Sequence, residues 1–594
     1  MSAARSETRK VKAGGPFARF GGASADAARS TCPPATAEEA CQRVRDASTP
    51  VSGPPVVLIT LYDGQMNISM RYLYAALVGG GHSAKIIRFG HTVPYEHNLD
   101  YSLFQTLKVK FPLARPAYRE ADAEALVERV AALEPLWVGL NVIAPHNHVA
   151  ADLTRRLRER LGGGVALVWG GYMAINEPEW CLQHADAVCV GEGEEVAVEI
   201  SGRLKARDQR GLAGIAGLWR RGRDGEIERE PRRPLLPAER LEALPLLFFE
   251  RTEDELFVPE NALTWYVNQA KADGGKSNSA TVVHDVLFTR GCFFTCTFCF
   301  HNVQIGRERG QGLYYRPADP RWIVEYLKDA KDRLGKERFV FWEDIFPYDT
   351  DWLREFCALY KAEIGLPFSV NFHPKMVREE NVRLLADAGM DSCNMGFQSG
   401  SERVRREVYG RNETNEEILE GARILNKHAW CCYDTIIDNP FETEEDLRAS
   451  FELFIAFPHH FVVDTNTLLY FRNQDITKKA LAAGLIGEDQ VLGSRAELGY
   501  QDVTCTGFLP RRDARKRALT MLIVATQYDF IPREKLRRWF EDDALLSNDR
   551  RLAVLLLTEL YRHTRHTMHE YEANMHTFAS QLGSAPMAGK SPAQ

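Results

Sequence analysis

Leu287–Val303, LFTRGCFFTCTFCFHNV, carries Cys292, Cys296 and Cys299, with three and then two residues between successive cysteines. The chain has 12 cysteines in 594 residues. Three at one fixed spacing should arise by chance in only about one chain of this length in 200. Thiolates are soft ligands suited to iron–sulfur clusters or zinc. A closed zinc site wants four ligands, commonly as two close pairs, and no second C-x-x-C lies nearby. Three thiolates on a four-iron four-sulfur cluster leave one iron without a protein ligand, open to a substrate or cofactor. The bland alternatives are three inert buried thiols or a partly lost zinc site.

Outward from that stretch, length and composition set the frame. A chain of 594 residues holds about two to four domains. Its 45% apolar and 26% charged residues are ordinary for a soluble globular protein. A net charge of −7 argues against a broad nucleic-acid-binding face. The basic run Arg511, Arg512, Arg515, Lys516, Arg517 reads as a solvated helix start. No apolar run reaches the ~20 residues of a membrane span. The N-terminus is basic without an apolar segment, so it does not read as a secretory signal. Clustered thiolates fit a reducing cytoplasm.

Residues 1–50 read as a disordered tail, with Cys32 and Cys41 as free thiols. From 51 to 235, short apolar runs alternate with helical patterns. The strands are Pro55–Tyr62, Ser83–Phe89, Leu136–Ile143, Val165–Trp169 and Ala187–Val190. This predicts a doubly wound, Rossmann-like parallel sheet, whose ligands bind beyond the carboxyl ends of the strands. Those ends carry Asp63-Gly64-Gln65, Asn141, Gly170-Gly171-Tyr172 and Gly191-Glu192-Gly193-Glu194. Glycines there let backbone approach a large flat ligand. Residues 236–281 read as a connector. From 282 to 475 six strands alternate with helices, as in a partial (β/α)6 barrel whose site lies at the carboxyl ends of its strands. The cysteine loop follows the first of them. Residues 476–594 read as helical, with a loose end.

These features resemble the cobalamin-dependent radical S-adenosylmethionine (SAM) enzymes, most of them methyltransferases, over about residues 51–475. The resemblance rests on the cysteine spacing, with aromatic Phe298 before the last cysteine. It rests also on the "GG" after strand four and the "GEGE" after strand five. It implies a 4Fe-4S cluster on Cys292, Cys296 and Cys299, SAM on the open iron, and cobalamin in the first domain near Asp63, Gln65, Asn141, Gly170, Gly171, Gly191 and Gly193. Gln65 stands where some relatives carry a cobalt-ligating histidine, so histidine ligation is not implied. Glu343 resembles the SAM-amino contact, although Phe-Trp-Glu-Asp replaces the family's glycines. Gln398-Ser399-Gly400 resembles the loop at the methionyl carboxylate or ribose. Asp438-Asn439 depart from the usual Gly-Leu near adenine. Arg411 matches a basic position suited to a carboxylate. Asn371, His373, Tyr314 and Tyr315 are further rim candidates, with rim solvation or packing as the plain reading. Cys393, Cys431 and Cys432 read as buried small hydrophobes.

The implied chemistry is reductive SAM cleavage to a deoxyadenosyl radical, hydrogen abstraction, and methyl transfer from methylcobalamin to carbon. The cofactors carry the hard chemistry and the protein positions them. The partners implied are a peptide or small natural-product substrate and a one-electron reductant such as a flavodoxin or ferredoxin. A cobalamin-assisted rearrangement or cyclisation without methyl transfer is a second reading. A non-catalytic cobalamin or iron–sulfur sensor is a third.

Overall fold

The structure is a computed structural model that describes residues 52–61, 68–89, 120–143, 147–222, 224–244, 254–257, 283–437, 439–491 and 513–563. Asp63, Gln65, Asp438, the N-terminal tail and the 270–279 loop lie outside the described residues. Two parallel sheets organise the rest.

The first sheet contains β1 (Val56–Thr60), β2 (Ala84–Phe89), β3 (Trp137–Asn141), β4 (Ala166–Gly170) and β5 (Ala187–Cys189). They are connected through α1 (Ile68–Gly79), α2 (Glu120–Ala131), α3 (Asn147–Leu161) and short helical turns, and α4 (Glu194–Lys205) follows β5. Every residue of β1 is buried, as helices on both faces require. The spatial order β5-β4-β3-β1-β2 reverses direction between β1 and β3. A doubly wound sheet opens its ligand crevice at that switch point, and Asn141 stands at its lip.

The sheet extends further than its sequence pattern predicted. β6 (Leu218–Arg221) and β7 (Ile227–Arg229) add an antiparallel edge. β8 (Asp254–Phe257), within the stretch read as a connector, pairs in parallel with β2. These edge strands are short and charged, so they lack the apolar run that marks the interior strands.

The second sheet holds β9 (Val283–Val286), β10 (Arg338–Phe341), β11 (Phe368–Phe372), β12 (Met390–Gln398), β13 (Trp430–Ile437) and β14 (Phe461–Thr467), in chain order and all parallel. Helix α5 (Phe300–Arg307) follows the cysteine loop, and α6 (Pro320–Leu334) leads into β10. Then α7 (Thr350–Glu363), α8 (Glu379–Ala388), α9 (Asn415–Asn426) and α10 (Glu444–Ile455) cross between successive strands. Their starts are written locally. Asp319 accepts from the Arg321 and Trp322 amides at the head of α6. Thr414 with Glu417, and Thr443 with Asp446, form reciprocal capping boxes on α9 and α10, each satisfying two otherwise orphaned amides.

Along β12, Cys393, Met395 and Phe397 bury outward among the helices, while Asn394, Gly396 and Gln398 alternate to the other face. The outer core also takes in α12 (Ala514–Ala525) and α13 (Arg533–Glu541), with α11 (Asp475–Ala482) preceding them. Phe540 stacks on Phe451 of α10 at 4.1 Å. The described C-terminal helices therefore thicken the barrel wall, and none of their residues lines the cavity between the sheets.

Candidate active site

The cysteine loop is tied at its neck. Arg290 and Arg316 pair backbone to backbone, with Arg290 N–H to Arg316 O at 3.0 Å and Arg316 N–H to Arg290 O at 2.8 Å. Gly291 has φ 81°, and a Cβ there would lie 2.1 Å from the Tyr314 carbonyl oxygen. Only glycine fits that position. Inside the neck, Cys299 N–H donates to Cys296 O at 2.9 Å, and Cys299 starts α5.

Cys292 and Cys296 are buried and Cys299 is partly so. Burial pushes the Cys292 thiol up to about 12, and it raises Cys296 and Cys299 as well. Cys296 also raises Cys292, and both raise Cys299, as neighbouring thiols do. Nearby Arg411 pulls Cys292 and Cys296 partly back. Buried thiols held protonated become good ligands when a metal displaces the proton. Among the described residues, no three His, Cys, Asp or Glu side chains are arranged around a single metal ion.

The other rim candidates separate into two kinds. Glu343, just past β10, is 1% exposed. One oxygen accepts from Phe288 N–H at 2.9 Å, and the other has no partner. Burial lifts its carboxyl to about 7. Gln398 closes β12 with φ 72°, beside a register shift after Gly396. A non-glycine residue held there stores strain of about 1 kcal/mol or more, a common mark of functional loops. His373 is buried, stacks on Phe294 of the cysteine loop at 3.8 Å, and accepts the Lys375 amide on Nδ1 at 3.2 Å. Its Nε2 has no partner. Burial and Arg411 drop its imidazole to about 2, so it is neutral.

Two of the sequence candidates have protein partners. The Ser399 hydroxyl donates to Glu442 at 3.0 Å and accepts Ser401 N–H. Arg411 already has a carboxylate, Glu413, and also donates to Gly396 O at 2.8 Å. Sequence reasoning missed His301. Its Nδ1 meets Tyr314 Oη at 2.8 Å and its Nε2 meets Asp344 at 2.9 Å. The signal was its place two residues after Cys299.

The two sheets face each other across a cavity of about 590 Å³. One wall is the carboxyl edge of the first sheet, with Asn141, Gly170, Gly171, Gly191 and Gly193. A Cβ on Gly170 would meet nothing within 4 Å, so bare backbone borders open space. The opposite wall is the cysteine-loop side, with Gly291, Phe300, His301, Tyr314 and Asp344. Between the first sheet and its helices the cavity runs on past Leu58, Trp137, Val168, Val196 and Ile200. That slot is apolar, and the glycine edge lets a flat ligand approach bare backbone.

Residues 286–454 match the radical SAM superfamily, and residues 114–201 match the B12 binding domain. The chain thus joins a B12 binding domain to a radical SAM domain. Its cofactors are therefore a 4Fe-4S cluster, SAM and cobalamin. Among curated proteins, it is 26% identical to cytidylyl-2-hydroxyethylphosphonate methyltransferase of Streptomyces wedmorensis, over 48% of this chain and 55% of that one. It is 22% identical to anaerobic magnesium-protoporphyrin IX monomethyl ester cyclase of Rubrivivax gelatinosus, over 55% of each. The chain thus spans about half the length of these curated relatives. In fold it resembles the radical SAM methyltransferase TsrM of Kitasatospora setae with cobalamin and [4Fe-4S] cluster bound. The TM-score is 0.53 at 16% identity, over 73% of this chain and 78% of that one. No helix among the described residues of this cobalamin-binding radical SAM protein is long and apolar enough to cross a membrane.

Proposed function

We propose that this chain is a cobalamin-dependent radical SAM methyltransferase that moves a methyl group from SAM, through cobalamin, to a carbon of a peptide or small natural-product substrate. The supporting observation is a cavity lined on one side by Gly291 and Phe300, which flank the three cysteines, and on the other by the glycine-rich strand ends. Bound there, the cluster and corrinoid supply one-electron SAM cleavage and a transferable methyl group.

The chain's own residues have separable tasks in this reading. Cys292, Cys296 and Cys299 hold the cluster. The free oxygen of Glu343 takes an ammonium group at a buried site, where a charge-assisted hydrogen bond is strong. The strained Gln398 loop presents backbone to the rest of SAM. Arg411, paired to Glu413, stiffens the rim beneath it. Gly170, Gly171, Gly191, Gly193 and Asn141 border the corrin edge, and Asp63 and Gln65 remain candidates from the sequence alone. The partners expected are a one-electron reductant and the substrate.

The test is anaerobic reconstitution followed by product mass spectrometry with methyl-deuterated SAM. Methyl transfer puts label into product. The likeness to a cyclase favours the second reading, cyclisation without methyl transfer, which leaves product unlabelled. Cys296→Ala should lose iron, sulfide and SAM cleavage together. Full retention of all three would sink the cluster assignment.

A further inference from the structure

The carboxylates of the Gly191-Glu192-Gly193-Glu194 loop face protein as well as the corrin edge. Glu192 receives Arg290 Nη1 at 3.1 Å, Arg316 Nη2 at 2.7 Å and Nη1 at 3.2 Å, and the Leu236 amide at 2.8 Å. Glu194 pairs with Arg290. The Arg290 guanidinium also lies 4.6 Å from the Tyr72 ring centre, and Tyr72 donates its hydroxyl to Leu287 O at 3.0 Å. Beside this group, Arg232 pairs with Glu308, at the end of α5. Burial opposes ionisation of Glu192, but Arg290 and Arg316 hold its carboxyl below the usual range.

Arg290 and Arg316 are the two residues whose backbones close the neck of the cysteine loop. The segment between them carries the three cysteines and α5, and is pinned again through Thr297, which bonds to Tyr409 O, Val408 O and the Ile476 amide. One carboxylate of the first sheet therefore grips both ends of the cluster-bearing loop. Arginine forks are rigid and bidentate, so the grip fixes orientation as well as distance. A carboxylate on a flexible rim would give no such registration.

We propose that Glu192 is a positioning residue: by clamping Arg290 and Arg316 it sets the separation and tilt between the cysteine loop and the corrin edge. This rests on the proposed function, because registration matters only where two cofactors share one substrate. The Glu192 carboxylate holds each cofactor's platform and is required for the binding of neither.

The experiment compares wild type with Glu192→Gln and, separately, Arg316→Lys, which keeps the charge and loses the fork. Iron, sulfide and cobalamin content are measured first. Magnetic coupling between Co(II) and the reduced cluster is then read by electron paramagnetic resonance, since dipolar coupling changes steeply with separation. Hydrogen exchange across residues 290–316 is read in the cofactor-free protein. Both variants should keep wild-type cofactor content, change the coupling, and exchange faster across that segment. Methyl transfer should fall on the order of a hundredfold, the usual result of a misplacement near 1 Å, while SAM cleavage without transfer falls far less.

Unchanged coupling and exchange with full cofactor content would overturn the clamp. So would selective loss of cobalamin in Glu192→Gln, which would make Glu192 a corrinoid contact. If Glu192→Gln does not fold, Arg316→Lys decides by the same readings. A wild-type protein that binds no cobalamin would instead remove the proposed function, a failure that shows before any variant is made.

Discussion

Replacing Glu343 with glutamine tests whether the rim stores electrostatic cost for a cation. The Glu343 carboxyl titrates near 7, against an ordinary 4.5, because burial disfavours its charge. Between those pH values the folded protein keeps a proton that the unfolded chain has released. Its stability therefore falls as pH rises through that window, and the penalty is complete above pH 7. The gap between about 7 and 4.5 is worth about 3 kcal/mol, at roughly 1.4 kcal/mol per pH unit. Glutamine has nothing to ionise, and its oxygen can still accept the Phe288 amide. Its amide nitrogen fills the place of the oxygen that has no partner, which costs about 1–3 kcal/mol at every pH.

The stability difference between variant and wild type should therefore move by about 3 kcal/mol in favour of Glu343→Gln from pH 4.5 to pH 8. Urea unfolding of the cofactor-free protein under reducing conditions reads this by linear extrapolation. A difference that stays flat across that range would refute the claim that a buried, uncompensated carboxylate sits at the end of β10. In the loaded enzyme the same substitution should weaken SAM binding more than tenfold, roughly the loss of one charge-assisted hydrogen bond.

Two neighbouring glycines should behave differently. Gly171 has φ 89° and a Cβ there would fall 2.0 Å from Asn141 Oδ1, so Gly171→Ala should cost about 1–2 kcal/mol in thermal or urea unfolding. Gly170→Leu should leave stability within about 0.5 kcal/mol, as an uncrowded site allows. It should nevertheless cut corrinoid affinity in an absorbance titration, and unchanged affinity would place the corrinoid elsewhere. Burial and Asp464 push Asp434 in β13 up to about 8 from 3.8, so its contribution to stability also falls as pH rises across that span. Asp434→Asn should flatten that part of the stability–pH profile, and an unaltered profile would count against the burial of this carboxyl.

Much of the fold was legible because parallel strands buried on both faces must be short apolar runs separated by helices. β1 falls inside the predicted Pro55–Tyr62 and β2 inside Ser83–Phe89. The cysteine spacing and the glycines at strand ends were legible because backbone geometry and ligand chemistry restrict residue type locally. The hairpin of β6 and β7, and the edge strand β8, were not. Arg220 and Arg221 in β6, and Asp254 and Glu255 in β8, hide their strands, since an edge gains its stability from a neighbour's backbone rather than from apolar side chains.

Side-chain roles at the rim divided along the same line. Cys292, Cys296 and Cys299 announce themselves within eight residues, and no distant partner is needed to read them. Ser399 and Arg411 stand at ligand-contact positions in sequence, and the fold adds Glu442 and Glu413 as their partners, which only packing decides. Glu192 looks like part of a cofactor loop, and the arginines it grips lie about a hundred residues away in the chain. Local chemistry thus determined which cofactors this protein is built for. The folded arrangement alone decided which charges meet between its sheets, because a buried charge is tolerated only where the fold brings a well-aligned partner from a distant segment.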